Sequence, residues 1–364
     1  MKFVCSKCGK TADVTTRAPR CVCGGLWDLD FQPPKFDFSL VDTHQWNLFR
    51  YRQFMALEDE SWRDVTLGEG MTPVVRLDDD VLLKMDYFMP TLSFKDRGAA
   101  ALIAHCKAIG VGRVVQDSSG NAGNAVAAYC ARAGISCEIF VPEGTSPKKI
   151  DMIRAHGAVC TVVPGSRDHC ADVCRTKVES DGVYYANHVY NPFFYEGTKT
   201  YIYEVYEQLG RIPEHLVIPV GNGTLFLGAI YALEHLLSSG CIDHTPLIIA
   251  LQSERCDPLL RAMETDSDVP AAVSPAPTLA EGIAIGQPMR GETILRLAKK
   301  HGVRFVHAPE DEILAARAAL ARKGIYCEHT TAANYAAYLQ YCRQYGPTPD
   351  CLITMCGAGL KSDH

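Results

Sequence analysis

The stretch Val114-Val115-Gln116-Asp117-Ser118-Ser119-Gly120-Asn121-Ala122-Gly123-Asn124 decides the fold class. A short β-branched run enters it, and an Ala-rich helical pattern, Asn121 to Ala133, leaves it. The same alternation extends outward on both sides. Apolar strand patterns recur at Cys137 to Val141, Val159 to Val163, Leu216 to Val220, Leu247 to Leu251, Val303 to Val306 and Leu352 to Met355. Helical stretches such as Ala99 to Ala108 and Pro309 to Lys323 lie between or before them. Near-continuous apolar runs are strands buried on both faces, and strand–helix alternation builds parallel sheets covered by helices. The fold class expected is therefore α/β, with two doubly wound open-sheet domains and a small N-terminal Cys ribbon.

The chain's 364 residues suit two domains with room for a small third, on a prior of about 150 residues per domain. The boundaries expected are 1–30 for the ribbon, 31–85 with 195–364 for a large α/β domain, and 86–194 for a small one. Acidic residues number 42 against 36 basic ones, a formal charge of −6. That balance supplies no cationic surface for a phosphate backbone, so no nucleic-acid partner is expected. No apolar run is long enough to span a bilayer, so no membrane role is expected. MKFVCSKCGK lacks a secretory h-region, and most of the 16 cysteines fall in core-like patterns. Free thiols in a reducing, cytoplasmic setting are the expectation.

Cys5-x2-Cys8-Gly and Cys21-x-Cys23-Gly-Gly form two knuckles within the first thirty residues. Paired knuckles let four thiolates surround one ion, so Cys5, Cys8, Cys21 and Cys23 are the candidate ligands of a structural zinc. The second knuckle is one residue short of the usual spacing. A ribbon without metal is the blander reading. Four thiolates leave no open coordination position, so no catalytic role is expected. Next, FQPPKFDFS reads as an extended linker, because Pro33-Pro34 excludes a helix.

Three turns carry the chemistry. Ser93-Phe94-Lys95-Asp96-Arg97-Gly98 places Lys95 at a helix start, where the positive helix end disfavours a protonated amine. The bland alternative is a surface lysine. Ser118, Ser119, Gly120 and Asn121 lie between a strand and a helix, as a nest for a carboxylate or as an ordinary N-cap. Gly221-Asn222-Gly223-Thr224 follows a buried strand and opens a helix, where backbone N–H groups can approach a phosphate. Its glycine spacing does not match a dinucleotide fingerprint.

The order SFKDRG, SSGNAG, GNGT and then Cys356-Gly357-Ala358-Gly359, with EGTKT at Glu196 to Thr200 and EGIAIG at Glu281 to Gly286, resembles the fold-type II pyridoxal-phosphate enzymes. Threonine synthases are the nearest likeness, over essentially the whole chain and including the Cys ribbon of many members. The resemblance implies pyridoxal 5′-phosphate in the cleft between the two domains, a homodimer and an amino-acid substrate. Lys95 would bond the cofactor aldehyde and then act at the substrate α-carbon. Gly221, Asn222, Gly223 and Thr224 would hold the cofactor phosphate, and Asn121 the 3′-oxygen. Ser118, Ser119, Gly120 and Asn121 would receive the substrate carboxylate. Cys356 falls where the family places a Ser or Thr beside the pyridine nitrogen, and Thr354 faces the same side. A neutral partner there makes the ring a weaker electron sink, which favours elimination and replacement.

The activity implied is that of a lyase, by β/γ-elimination or replacement, most like threonine synthase acting on O-phosphohomoserine. The family binds the substrate phosphate partly with an Arg in a stretch like NPxRxEG. Here the stretch is Asn191-Pro192-Phe193-Phe194-Tyr195-Glu196-Gly197, with Phe194 in the Arg position. An unphosphorylated substrate, as in a serine/threonine dehydratase or a β-replacement synthase, is the alternative. Otherwise another cation (His188, Lys199 or Arg154) takes the phosphate, or the aromatic cluster is simply core. His329 replaces a Pro in a family turn near the cofactor, and a structural role is the expectation for it. The contrasting class is a non-catalytic binding module that has lost its chemistry; intact Lys95 and an intact Gly221–Thr224 loop argue against it.

Overall fold

The computed structural model describes residues 1–361. Its first elements are strands β1 (Phe3–Cys5), β2 (Thr11–Ala12), β3 (Trp27–Leu29), β4 (Val74–Arg76) and β5 (Val81–Lys84). There follow α1 (Lys95–Ala108), β6 (Arg113–Gln116), α2 (Asn121–Ala133), β7 (Ser136–Pro142), α3 (Pro147–Ala155), β8 (Val159–Val163), α4 (Arg167–Asp181) and β9 (Tyr184–Tyr185). The chain continues through α5 (Phe193–Leu209), β10 (His215–Pro219), α6 (Thr224–Ser239), β11 (Leu247–Ser253), α7 (Pro258–Glu264) and α8 (Gly291–Lys300). It ends in β12 (Arg304–Ala308), α9 (Ile313–Arg322), α10 (His329–Tyr345) and β13 (Cys351–Thr354).

The described residues form two units: 1–70 with 95–198, and 71–94 with 199–361. The first holds a parallel sheet in the order β8-β7-β6-β9. The inner strands β6 and β7 bury residues on both faces, while Val159 and Val162 of the edge strand β8 stay exposed. Val114, Cys137, Ile139 and Val141 pack with α1, α2 and α3, while Val115, Phe140 and Val163 pack with Cys170, Cys174 and Val178 of α4. Helices on both faces make this sheet doubly wound. The ribbon is a small antiparallel sheet, β2-β1-β3. Its Phe3, Val14 and Trp27 share a core with Ala56 and Phe193.

The second unit carries a mixed sheet ordered β12-β11-β10-β13-β5-β4. Its strands are parallel except β4, which pairs antiparallel with β5 at one edge. Val217, Ile249, Leu251 and Ile353 face α9 and α10, and α6 packs against β10. Residues 31–70, expected with the larger domain, lie in the first unit. The physical reason is their apolar content: Leu48, Phe49, Trp62 and Val65 bury in one core with Ala99 to Ile103 of α1 and Val126 of α2. The expected boundaries at 85/86 and 194/195 fall instead at 94/95 and 198/199. The linker 31–37 has no regular structure, as Pro33-Pro34 dictates.

Candidate active site

Lys95 is the first residue of α1 and is partly buried. It lies one peptide bond beyond Phe94, whose N–H donates to the Cys356 carbonyl at 3.0 Å. Ser93, one residue earlier, bridges Gly357 in antiparallel fashion. Backbone thus ties the segment that leads into Lys95 to the one that carries Cys356.

Around Lys95, two glycines let α1 and α5 approach closely. A Cβ on Gly98 would stand 2.3 Å from the Phe194 ring, and one on Gly197 would stand 1.8 Å from the Arg97 carbonyl oxygen. Phe194 is fully buried in the core of the first unit, so its aromatic neighbourhood is packing rather than an open lining. Of the cations that could replace the family's Arg, Arg154 is exposed on α3 and Lys199 is buried at the start of the second unit's share of α5. His188 is buried, and its proton affinity is held well below the usual value by burial and then by the charges of Lys95 and Arg167.

The Ser118–Asn121 turn sits where β6 ends and α2 begins. Gly120 caps α2 in extended conformation with no side-chain cap, and the first N–H groups of a helix suit an anion. Gly123 is required: its Cβ would lie 1.9 Å from the Ser118 carbonyl oxygen. Asp117 fixes the turn from behind, accepting from Tyr185 Oη at 2.6 Å and Asn187 Nδ2 at 2.8 Å. The Asn187 oxygen in turn accepts from the Val189 N–H at 2.8 Å.

In the second unit, Val220 leads from β10 into Gly221–Thr224, and Thr224 starts α6. Gly223 adopts φ +75° at the N-cap, without a side-chain cap. A Cβ there would meet Ile294 at 2.4 Å, and one on Gly221 would meet the Ile283 Cα at 3.0 Å and the Gly282 oxygen at 3.2 Å. Bare backbone at a helix N-terminus is what a phosphate uses. Glu281 to Gly286 borders this loop, and the Gly282 N–H donates to Thr330 Oγ1 at 3.0 Å.

Cys356 follows β13 and is buried. Its Sγ lies 3.0 Å from Thr331 Oγ1 and 4.0 Å from Glu328 Oε1. Burial, then the Glu328 charge, pushes the thiol far up, so it stays neutral. The Glu328 carboxylate rests where a Gly357 side chain would begin, 2.1 Å from the ideal Cβ. Thr354 Oγ1 is engaged with Tyr201 Oη at 2.8 Å. His329 opens α10, and its Nε2 meets Arg317 Nη1 at 3.0 Å. That bond fits a structural role.

The four ribbon thiols lie within 4.8 Å of one another, with Sγ separations of 3.4 Å (Cys5–Cys23), 3.5 Å (Cys8–Cys23) and 3.8 Å (Cys8–Cys21). Four sulfurs about 2.3 Å from one ion at tetrahedral angles stand about 3.8 Å apart. The donor set therefore fits zinc. Burial opposes ionisation of Cys5, but the N–H groups of Cys8 and Lys7 outweigh it and bring the thiol down to about 6. Cys8 has help from the Lys10 N–H, yet the neighbouring thiols of Cys23 and Cys5 push it up to about 11. A divalent cation would remove that mutual repulsion.

Apolar packing alone gives no reason for bare glycines at a helix start after a buried strand, or for a lysine at another helix start. A small phosphorylated cofactor with a lysine-reactive carbonyl gives a reason for both. The chain belongs to the family of pyridoxal-phosphate dependent enzymes, whose profile matches residues 65–357. It is 30% identical to the threonine synthase of Methanocaldococcus jannaschii over 347 residues, covering 91% of this chain and 85% of that one. The threonine synthase of Mycobacterium leprae is 32% identical over 335 residues, covering 88% and 90%. Among solved structures, threonine deaminase isoform 2 of Solanum lycopersicum superposes with a TM-score of 0.71 at 22% identity, covering 90% and 86%. Maize serine racemase gives 0.67 at 18%, covering 84% and 94%. Both show the fold-type II architecture. The protein is an enzyme that uses pyridoxal 5′-phosphate. Among the described residues no helix is long and apolar enough to cross a membrane.

The surroundings of three groups show only in the structure. Ser93 Oγ and His188 Nδ1 are buried with no hydrogen-bond partner, and the Glu328 carboxylate stands beside Cys356. Ser93 was legible as part of SFKDRG. His188 was read as a candidate cation, and nothing local in the sequence shows that its Nδ1 is left without a partner.

Proposed function

We propose that the enzyme is a lyase acting on an amino acid by β/γ-elimination or replacement, most like threonine synthase with O-phosphohomoserine. The observation that carries this reading is threonine synthase relatives at 30–32% identity across most of the chain, together with Lys95 at the start of α1. Gly221, Asn222, Gly223 and Thr224 would hold the cofactor phosphate, Asn121 the 3′-oxygen, and Cys356 the pyridine nitrogen. Bound pyridoxal phosphate supplies the electron sink. The turn Ser118, Ser119, Gly120 and Asn121 binds and orients the substrate carboxylate with hydroxyl and backbone N–H groups. Lys95 moves the proton at the substrate α-carbon. The neutral Cys356 thiol puts no formal charge of its own at the ring. Cys5, Cys8, Cys21 and Cys23 hold a structural zinc, and the chain assembles as a homodimer.

The buried Phe194 favours a second reading, in which the substrate carries no phosphate, as in a serine/threonine dehydratase or β-replacement synthase. A buried phosphate without charged partners is strongly disfavoured. The test is one panel: changes in visible absorbance and product formation with O-phosphohomoserine, O-phosphoserine, serine, threonine and O-acetylserine. Efficient threonine release from O-phosphohomoserine at micromolar concentration supports the first reading. Turnover of only the unphosphorylated substrates supports the second. Absence of a visible cofactor band in protein supplied with pyridoxal phosphate overturns both.

A further inference from the structure

His188 lies on the link between β9 and α5, at 7% exposure. Its ring meets the Phe194 ring at a centroid distance of 5.7 Å and an angle of 62°. Phe194 in turn covers Gly98. Gly98 lies three residues beyond Lys95 on α1, and residues three apart share a helix face. The packing order His188, Phe194, Gly98 therefore brings the imidazole to the face of α1 that bears Lys95. His188 Nδ1 has no hydrogen-bond partner although it is enclosed. An orphaned buried polar atom is costly in ordinary packing, so it calls for an explanation.

We propose that His188 is the proton-exchange partner of Lys95, a positioning residue that receives the proton the lysine must give up between steps. This rests on the reading that Lys95 is the lysine that bonds the cofactor and works at the substrate α-carbon. In the step proposed, the Lys95 ammonium loses one proton and the His188 imidazole gains it, directly or through one water. No electrons change hands, and one positive charge moves from Nζ to the ring.

The state of Lys95 bears on the proton affinity of His188, after burial. The charged groups felt by His188 are Lys95 on α1 and Arg167 on α4. While Lys95 carries its charge, burial and repulsion keep His188 neutral. Once Lys95 is neutral, one of the two opposing charges is gone and the proton affinity of the imidazole rises. Burial and the Arg167 charge still oppose the charged ring, so the coupling is read as a shift in its midpoint rather than as full protonation.

Two experiments test the proposal. The first uses the cofactor-free protein and follows the His188 ring by NMR across pH, in wild type and in Lys95→Gln. The midpoint of His188 should move upward in Lys95→Gln; an unchanged midpoint overturns the proposal. This arm reads the coupling even where the substrate assignment fails. The second measures kcat against pH in the holoenzyme for His188→Asn and His188→Gln, with thermal unfolding as a check on folding. A proton-exchange role predicts a loss in kcat of about 100-fold and a changed acid limb of the profile, with the melting temperature and the visible cofactor band retained. If kcat falls only in step with stability, or the pH profile keeps its shape in both variants, His188 is a packing residue.

Discussion

At the scale of single residues, Lys95 carries the largest functional claim. The backbone beside it is fixed by the Phe94 N–H bond to Cys356 and by the Ser93–Gly357 bridge. Replacing Lys95 with Ala should abolish both turnover and the visible band of lysine-bound cofactor, measured by absorbance after dialysis against pyridoxal phosphate. Full turnover in the variant would remove Lys95 from the mechanism. Phe194 shows what side-chain placement adds to a motif. Motif comparison alone makes Phe194→Arg a gain of phosphate binding. The structure puts that side chain against Gly98 in a fully buried core. A guanidinium there would be desolvated, and an unpaired buried charge costs about 3–5 kcal/mol. Phe194→Arg should therefore lower the melting temperature markedly instead of improving affinity for phosphorylated substrates. A variant that keeps wild-type stability would show that the arginine reaches solvent or a partner.

At the scale of elements, α1 and α5 depend on the absence of side chains. Gly197→Ala would force a Cβ against the Arg97 carbonyl, and backbone cannot step aside as a flexible side chain can. The cost expected is about 1–3 kcal/mol or more, with reduced activity because Lys95 rides on α1. Chemical denaturation of the variant checks this; an unchanged midpoint would mean that the helices can separate freely. The ribbon is the second element-scale case. Its three strands have two or three residues each, too few to hold a sheet without other support. About one zinc per chain is expected, and chelation should loosen the ribbon while leaving the chemistry of the α/β body in place. Metal analysis and limited proteolysis after chelation test it. Zinc-free protein with an intact ribbon would favour the reading without metal.

At the scale of the whole molecule, the long apolar strands and the glycine-marked turns were legible, because burial on both faces and bare helix starts leave direct marks in sequence. Residues at Cys137 to Val141 and Leu247 to Leu251 fall inside observed strands β7 and β11, and α2 spans the stretch its pattern predicted. The strand Val81–Lys84 stands out less, since it ends in a lysine. The burial of Lys84 is compensated by the Thr72 carbonyl at 2.6 Å and, from far along the chain, by Glu204 at 3.0 Å and Gln208 at 2.9 Å. Likewise the placement of 31–70 followed from tertiary packing of Phe49 and Trp62, which no local pattern encodes. The order of the glycine-marked turns was legible; the burial of Phe194 and the orphaned Nδ1 of His188 were not.

Buried charge also governs how the molecule's stability responds to pH. Glu69 is fully buried and accepts from the Leu67 N–H at 2.8 Å, Thr66 Oγ1 at 3.0 Å and Tyr129 Oη at 3.0 Å. Burial dominates these bonds and raises the carboxyl from 4.5 to about 7. Between those two values the folded state holds a proton that the unfolded chain has released. Stability contributed by this group is therefore greatest below about pH 4.5 and declines as pH rises toward 7. A tenfold difference in proton affinity is worth about 1.4 kcal/mol, so the change across the window is on the order of 3 kcal/mol. Other carboxylates pull the opposite way: hydrogen bonding with Arg211 lowers Asp350, so that contribution is lost only in more acidic solution. The informative comparison is thus a difference between wild type and Glu69→Gln, which keeps the size and can still bond Tyr129. Denaturant unfolding at intervals from pH 4.5 to 7.5 should show the variant gaining stability over wild type as pH increases. A constant difference across that range would mean that Glu69 stays ionised in the folded protein, its three donors outweighing its burial.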